Sequence, residues 1–234
     1  MDERAEDIVW DGEKYVILGD DFTIFTSKNG RDWVKVKNLN YLKEQLGSGI
    51  NIIIYKLTYG NGKYLVPIGN ILFMSTDLIN WEGIYEFDIE KIEYDGKEIE
   101  IFLHSIEDIF YDGETILITF NSAIFQSNTQ VVAIVSSKDL KNWNIWFSDD
   151  GTNYERIYKI TKDLNKYIVY GNSDKVYISY DGIKWEYEDL SFDLKNINLF
   201  NHKKGINISK ISYKDGKYYG IVNGFLLSMA MEHI

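Results

Sequence analysis

Residues 179–185 read Ser-Tyr-Asp-Gly-Ile-Lys-Trp, and variants of this phrase stand at three earlier places, 27–33, 75–81 and 137–143. The four copies share the pattern S-x-[ND]-[GL]-x-x-W. They recur about every 50 residues, a period typical of arrays in which each repeat is one small structural unit. We name these four segments the S-x-D-G turns, because their composition predicts turns between strands.

Each position of the S-x-D-G turn has a physical role in that prediction. The Asp or Asn accepts hydrogen bonds from the backbone two residues on, and the following Gly adopts positive φ without steric cost. The Ser hydroxyl bonds the turn backbone, and the Trp begins the outgoing strand and buries its ring between neighbouring units. Leu78 and Leu140 replace the Gly in two copies, so we expect the turn type to differ among the four.

A second repeated phrase precedes each of these turns. Asp-Gly or Asn-Gly stands at 11–12, 61–62, 112–113 and 215–216, with a weaker form at 163–165. We name these the D-G turns, because such pairs between apolar runs are the strongest short hairpin signal. One unit therefore reads strand, D-G turn, strand, loop, strand, S-x-D-G turn, strand.

Five such units predict an all-β fold, a five-bladed β-propeller of four-stranded antiparallel blades that spans residues 1–234 as a single domain. The fifth unit has candidates for three strands, after which the sequence ends. Three explanations stay open: a last blade of three strands, a chain completed by a partner, and a chain cut from a longer ring.

Composition excludes several classes of function. A net charge of −11 argues against nucleic acid and anionic membrane as partners. The chain has no Cys, and its three His lack metal-ligand spacing, so we expect no cofactor and no metal. We find neither a secretion signal nor a membrane-spanning segment, which favours a cytoplasmic protein or part of a particle and leaves the native compartment open.

The S-x-D-G-x-x-W phrase resembles a form, shorter by one residue, of the Asp-box of sialidase-type propellers. The D-L-x-N-W form at 77–81 and 139–143 resembles phrases in five-bladed glycoside hydrolases of the arabinanase and fructosidase kind. The resemblance covers nearly the whole chain and implies the propeller fold, whereas a fold alone does not fix activity. Sialidases hold a carboxylate with clustered arginines, and the three Arg of this chain, at 4, 31 and 156, do not suit such a cluster.

The five-bladed hydrolases place acidic residues on inner strands around the axis, where a pair of carboxyl groups is required. Here the strand before each D-G turn carries a charged residue at one repeated position. We name these five residues the inner-strand charges: Asp7, Lys56, Asp108, Lys159 and Lys210. Three lysines and two separated aspartates do not predict a glycosidase centre, and we interpret the five as solvent-exposed strand ends.

Insertions in repeat proteins gather on one face, which is often the binding face. The irregular segments 38–49, 85–105, 121–130, 147–156 and 189–207 all fall at the end opposite the short turns, which predicts a loop-rich face. Its aromatic and polar side chains suit stacking on sugars or anchoring a protein. The candidate ligand-binding residues are Tyr41, His104, Asp149, Asp150, Tyr154, Phe200 and His202.

These observations favour a non-catalytic recognition module that binds a glycan or a protein partner. Abundant Ile, Lys, Asn and Tyr are typical of an AT-rich genome, which suggests a bacterial or phage surface assembly. Two alternatives stay open: a glycoside hydrolase of the five-bladed type, and a structural subunit of a larger particle. An oligomer is compatible with the sequence.

Overall fold

The computed structural model describes residues 4–46, 56–94, 96–124, 129–148, 157–163, 165–171, 175–192, 208–214, 217–222 and 225–231. Within these ranges the regular structure consists of twenty β-strands and one short α-helix. The strands form antiparallel sheets in which sequence neighbours are also spatial neighbours. This order is the one that the predicted unit requires.

The first two units are plain four-stranded sheets. The first comprises β1 (Ala5–Trp10), β2 (Tyr15–Gly19), β3 (Thr23–Ser27) and β4 (Val34–Asn38). The second comprises β5 (Thr58–Gly60), β6 (Lys63–Ile68), β7 (Ile71–Ser75) and β8 (Glu82–Glu86). Between them lies α1 (Asn40–Gln45), in the first of the predicted irregular segments.

The third unit is larger than the pattern predicts. Its sheet contains β9 (Ile89–Tyr94), β10 (Lys97–Tyr111), β11 (Ile116–Ile124), β12 (Thr129–Ser137) and β13 (Asn144–Ser148). The additional strand β9 forms a hairpin with the first part of β10, from Tyr94 paired with Lys97 to Ile89 paired with Phe102. The Asp-Gly pair at 95–96 predicts a hairpin over Ile92–Ile99, which the structure confirms. The segment 121–130, expected as an insertion, begins and ends in the strands β11 and β12, which lengthen this sheet.

The fourth and fifth units share one seven-stranded sheet. The fourth comprises β14 (Ile157–Asp163), β15 (Lys166–Gly171), β16 (Lys175–Ser179) and β17 (Glu186–Phe192). The fifth comprises β18 (Ile208–Lys214), β19 (Lys217–Val222) and β20 (Phe225–Met231). The end of β17 leaves β16 and pairs with β20, from Leu190 opposite Met231 to Phe192 opposite Met229. The preceding unit therefore covers the edge of β20, whose backbone groups would otherwise be unpaired.

The units are arranged in chain order around their first strands. Strand β1 contacts β5, β5 contacts β10, β10 contacts β14, and β14 contacts β18, so these five are the inner strands. With its antiparallel units, the chain has the predicted all-β architecture of a five-bladed β-propeller. The approach of the second and third units is close: a Cβ on Gly60 would lie 2.6 Å from the backbone nitrogen of Gly113.

All four S-x-D-G turns have the same backbone conformation, so the expectation of different turn types is wrong. The fourth residue has φ of 71° at Gly30, 67° at Leu78, 62° at Leu140 and 73° at Gly182. In each turn its N–H donates to the Ser hydroxyl, at 2.8–3.0 Å. A left-handed leucine costs roughly 1–2 kcal/mol, which burial of the side chain offsets. Leu78 is 2% exposed and Leu140 9%.

The acidic residue of these turns is occupied by the turn itself. Asp77 Oδ1 accepts hydrogen bonds from the N–H groups of Ile79 and Asn80, both at 2.8 Å, and Asp139 and Asp181 bond their own turns in the same way. These backbone donors hold the pKa of the Asp77 carboxyl well below its usual range. The geometry agrees with turn formation, since the oxygens that a ligand would need are already bonded.

The tryptophans of the S-x-D-G turns differ in burial. Trp81 and Trp185 are 9% and 6% exposed, whereas Trp33 and Trp143 are only half-buried. In three of the four turns, aromatic residues from the preceding unit lie against the ring or its backbone. Trp143 packs against Phe87 with ring centroids 5.0 Å apart. The expected position between units is therefore confirmed for Trp81, Trp143 and Trp185, and for Trp33 it stays a prediction.

The aspartates of two D-G turns join neighbouring units. Asp11 Oδ1 accepts hydrogen bonds from the N–H groups of Glu13 and Lys14, both at 2.8 Å. Its second oxygen accepts the hydroxyl hydrogen of Tyr64, which belongs to the next unit. Asp112 repeats this arrangement with Tyr167 of the fourth unit at 2.9 Å and Lys162 at 2.5 Å. These two D-G turns thus also connect neighbouring units.

These contacts predict an acid-sensitive stability. Burial opposes ionisation of Asp11 and Asp112, but the cation, hydroxyl and N–H partners outweigh it and lower the pKa of each to about 2. Because the folded pKa lies below the unfolded one, each carboxylate stabilises the fold by roughly 2 kcal/mol at neutral pH. That contribution is fully present above the unfolded pKa, near 4, and is lost as the pH falls towards about 2.

The test is urea unfolding between pH 7 and pH 2. We expect the double variant Asp11→Asn, Asp112→Asn to be less stable at pH 7 and to lose less further stability in acid. Asp20→Asn, at an exposed carboxylate, is the matched control and should unfold like the native chain. A double variant with the native acid dependence would contradict the assignment.

Candidate functional site on the inner strands

The inner-strand charges occupy equivalent positions in the folded chain. In four of the five inner strands the pairing register shifts just before the charged residue: before Asp7, Asp108, Lys159 and Lys210. Such β-bulges redirect side chains and are common next to functional sites. Sequence reasoning found the repeated charge but missed the bulge, which has no compositional signal here.

Asp108 is the most enclosed of these residues. It is 6% exposed. Its Oδ1 lies 3.1 Å from Nζ of Lys56 on the preceding unit, and its Oδ2 accepts the N–H of Ile160 on the following unit at 2.8 Å. Burial raises the pKa of Asp108, and the Lys56 ammonium and the backbone donors oppose that rise. One carboxylate thus connects three consecutive inner strands.

Asp7 makes a similar connection between the first two units. Its Oδ1 accepts the N–H of Ile8 at 2.9 Å, and its Oδ2 accepts the N–H of Leu57 at 3.0 Å. The interpretation of the inner-strand charges as exposed strand ends is therefore wrong for Asp108 and for Lys56, whose side chain is 24% exposed. For Asp108 the physical reason is the bulge, which turns the side chain towards the next inner strand, and Lys56 is enclosed because it pairs with that carboxylate.

Tyr170 has this connecting role in the fourth unit. It lies directly opposite Lys159 in the β14–β15 register, and its phenol oxygen accepts the N–H of Ile211 on the fifth unit. Burial, with a contribution from the negative charge of Asp108, raises the pKa of Tyr170 to about 12. Sequence reasoning missed this residue, because nothing distinguishes it from the chain's other strand tyrosines.

Lys159 and Lys210 differ from the other inner-strand charges. Lys159 is half-buried and Lys210 is exposed. Neither has a carboxylate within ion-pair distance in the part of the chain that the structure describes. Two ammonium groups thus stand on neighbouring inner strands without a carboxylate partner among the described residues.

Whether the inner-strand charges could catalyse glycoside hydrolysis depends on which of their carboxylate oxygens are already bonded within the protein. A glycosidase needs two carboxyl groups that face the substrate, one as acid and one as base or nucleophile. All four oxygens of Asp7 and Asp108 already accept hydrogen bonds or an ion pair from the protein. Among the described residues no cluster of three or more His, Asp or Glu is placed to hold a metal ion, and no helix there is long and apolar enough to span a membrane.

The structure describes only part of the predicted loop-rich face. Five of the candidate residues lie outside the described ranges: Asp149, Asp150, Tyr154, Phe200 and His202. His104 belongs to β10, and its side chain is not among those described. A ligand-binding role for these six residues stays a prediction from the sequence.

Tyr41 is the one candidate whose side chain is described. Its ring is half-buried, and Nζ of Lys37 lies 4.8 Å from the ring centroid. Its phenol oxygen accepts the backbone N–H of Trp81 near Asp77, and burial raises its pKa. Tyr41 therefore contributes to the interface between the first and second units, and a ligand-binding role for it stays a prediction.

No family model and no curated protein matches the chain. Similar solved structures include a computationally designed protein, Ika8, at 8% identity, covering 94% of this chain and 69% of that one, with a TM-score of 0.46. An exo-β-1,3-galactanase of Phanerochaete chrysosporium is 11% identical, with coverages of 98% and 60% and a TM-score of 0.47. A β-fructofuranosidase of Bombyx mori is 13% identical, with coverages of 90% and 53% and a TM-score of 0.42. With TM-scores below 0.5, these similarities carry no information about a site.

Proposed function

We propose that the chain is a non-catalytic recognition module that binds a glycan, with a protein partner as the alternative, through the loop-rich face of the propeller. The same proposal makes the chain part of a bacterial or phage surface assembly. The short turns are occupied by their own hydrogen bonds, which leaves the other end of the units for a ligand. The additional β9–β10 hairpin enlarges that end.

One observation carries the non-catalytic part of the proposal. The only carboxylates among the inner-strand charges, Asp7 and Asp108, are bonded through both oxygens to neighbouring strands. To act as a general acid or nucleophile, either carboxyl group would first have to break contacts that hold two units together. This favours recognition over glycoside hydrolysis.

A glycan array and a hydrolysis screen on the same preparation test this function. We expect binding to a restricted set of saccharides and no turnover of arabinan, fructan or sialoside substrates. Turnover that disappears in Asp7→Asn, with the variant still folded, would replace this proposal with the glycoside hydrolase alternative. Binding to no saccharide would direct the search to protein partners.

A separate observation favours the structural-subunit alternative. The first sheet packs one face on the second unit through Val16 and Leu18. On its other face Ile17 and Phe25 are buried, but Ile8, Trp10 and Tyr15 are 53%, 50% and 37% exposed. An apolar patch of this kind is typical of an interface. Native mass spectrometry tests it: a stable assembly supports the structural subunit, and a monomer supports the recognition module alone.

A further inference from the structure

The inner-strand charges alternate in sign along the first three units and then cease to do so. Asp7, Lys56 and Asp108 follow one another, and each contacts the inner strand of the next unit. The fourth and fifth units carry Lys159 and Lys210 at the same repeated position. Within the described ranges, neither of these two lysines has a carboxylate of the kind that Lys56 has in Asp108.

The two lysines border one polar group. Strands β14 and β18 contact each other. Tyr170 lies opposite Lys159 in the sheet, and its phenol oxygen accepts the N–H of Ile211, which directly follows Lys210. The bond from Ile211 uses the phenol oxygen as an acceptor and leaves the phenol hydrogen as a possible donor. Lys159, Tyr170 and Lys210 therefore lie on contacting strands at the junction between the fourth and fifth units.

The acid that the structure places beside this junction is Asp108, whose charge acts on Tyr170 and whose Oδ2 accepts the N–H of Ile160, the residue after Lys159. Both oxygens of Asp108 are already engaged, by Lys56 and by Ile160, so it does not pair with Lys159 or Lys210. Neighbouring like charges are unfavourable, and an anion placed between them removes the repulsion and gains two charge-assisted hydrogen bonds. The net charge of −11 does not prevent this, since salt screens distant charges more than adjacent ones.

We propose that Lys159, Lys210 and the Tyr170 hydroxyl form a binding site for an anionic group, which in the ligand of this protein is the carboxylate of an acidic sugar. This inference rests on the proposed glycan-binding function and names its substrate class. The proposed site lies on the inner strands and is separate from the candidate residues of the loop-rich face. Lys56 takes no part, since its ammonium is paired with Asp108.

The test is calorimetric titration of the full chain with three probes: a galacturonic acid trisaccharide, the neutral galactose trisaccharide, and inorganic phosphate. Each is titrated into the native chain, Lys159→Gln, Lys210→Gln and the control Lys184→Gln. Lys184 is an exposed lysine of the fourth S-x-D-G turn, away from the junction. We expect the acidic trisaccharide to bind more tightly than the neutral one, by about tenfold, and each junction variant to remove most of that difference.

The other possible outcomes distinguish a failure of this anion site from a failure of the proposed glycan-binding function. If both trisaccharides bind equally and neither Lys159→Gln nor Lys210→Gln changes their affinity, the glycan function is kept and this site is overturned. Binding of phosphate alone, lost in the junction variants, keeps the anion site but overturns the acidic sugar as its ligand. Absence of binding by all three probes overturns this site, whereas the glycan function is decided separately by the glycan array. Equal losses in Lys184→Gln overturn the assignment to the junction.

Discussion

Replacing Asp108 with alanine is expected to lower the free energy of unfolding by roughly 3–5 kcal/mol, because it leaves a partly buried ammonium without its counter-charge. The same change removes the acceptor for the N–H of Ile160 at 2.8 Å. Three inner strands lose their common connection at once. The measurement is equilibrium unfolding in urea, with the slope of the transition checked against that of the native chain.

Two variants separate the parts of this effect. Asp7→Ala also removes a bond to the next inner strand, but its partners are only backbone N–H groups and it is half-buried, so roughly 1–2 kcal/mol is expected. Adding Lys56→Met to Asp108→Ala removes the stranded charge and should recover on the order of 1 kcal/mol. A loss in Asp108→Ala no larger than that in Asp7→Ala would mean that the Lys56 contact contributes nothing.

The repeated unit could be predicted from the sequence because its signals are local. The D-G and S-x-D-G turns are specified by a few adjacent residues, and their hydrogen bonds join residues two or three positions apart. Turn chemistry of this kind depends little on the rest of the fold. The order of strands in the first, second and fourth units follows from it directly.

The contacts between units could not be predicted in the same way. Asp7 bonds Leu57, Asp11 bonds Tyr64 and Asp108 bonds Ile160 across 50, 53 and 52 residues. These separations are close to the repeat period, so equivalent parts of consecutive units meet. The repeated position of the inner-strand charges indicated that they occupy equivalent places in consecutive units. It did not indicate that bulges direct them to the next strand.

The two leucines of the S-x-D-G turns illustrate a competition that a turn rule cannot decide. Glycine preference at the left-handed position is a statement about backbone strain alone. At Leu78 and Leu140 burial of the side chain opposes that strain, and the structure shows that burial prevails. The candidate residues of the loop-rich face present a related difficulty, because irregular segments have no period from which their arrangement follows.

The tryptophan of the fourth S-x-D-G turn provides the second large effect. Trp185 is 6% exposed and packs with Leu117, Val132 and Ile134 of the third unit in one apolar cluster. Its indole N–H has no hydrogen-bond partner among the described residues, so truncation of the ring removes packing alone. Deleting a buried aromatic ring typically costs about 3–5 kcal/mol, and Trp185→Ala should lose that amount of unfolding free energy.

Trp33→Ala is the matched control, since it makes the same chemical change at the equivalent place of the first unit. Trp33 is only half-buried, so less apolar area returns to water on unfolding and a loss on the order of 1–2 kcal/mol is expected. Urea unfolding of both variants under one condition gives the comparison. If the two losses were equal, Trp33 would have to be as enclosed as Trp185, which requires another surface to cover Trp33. That outcome would make the ring closed or the protein an assembly, and the mass of the native particle would distinguish the two.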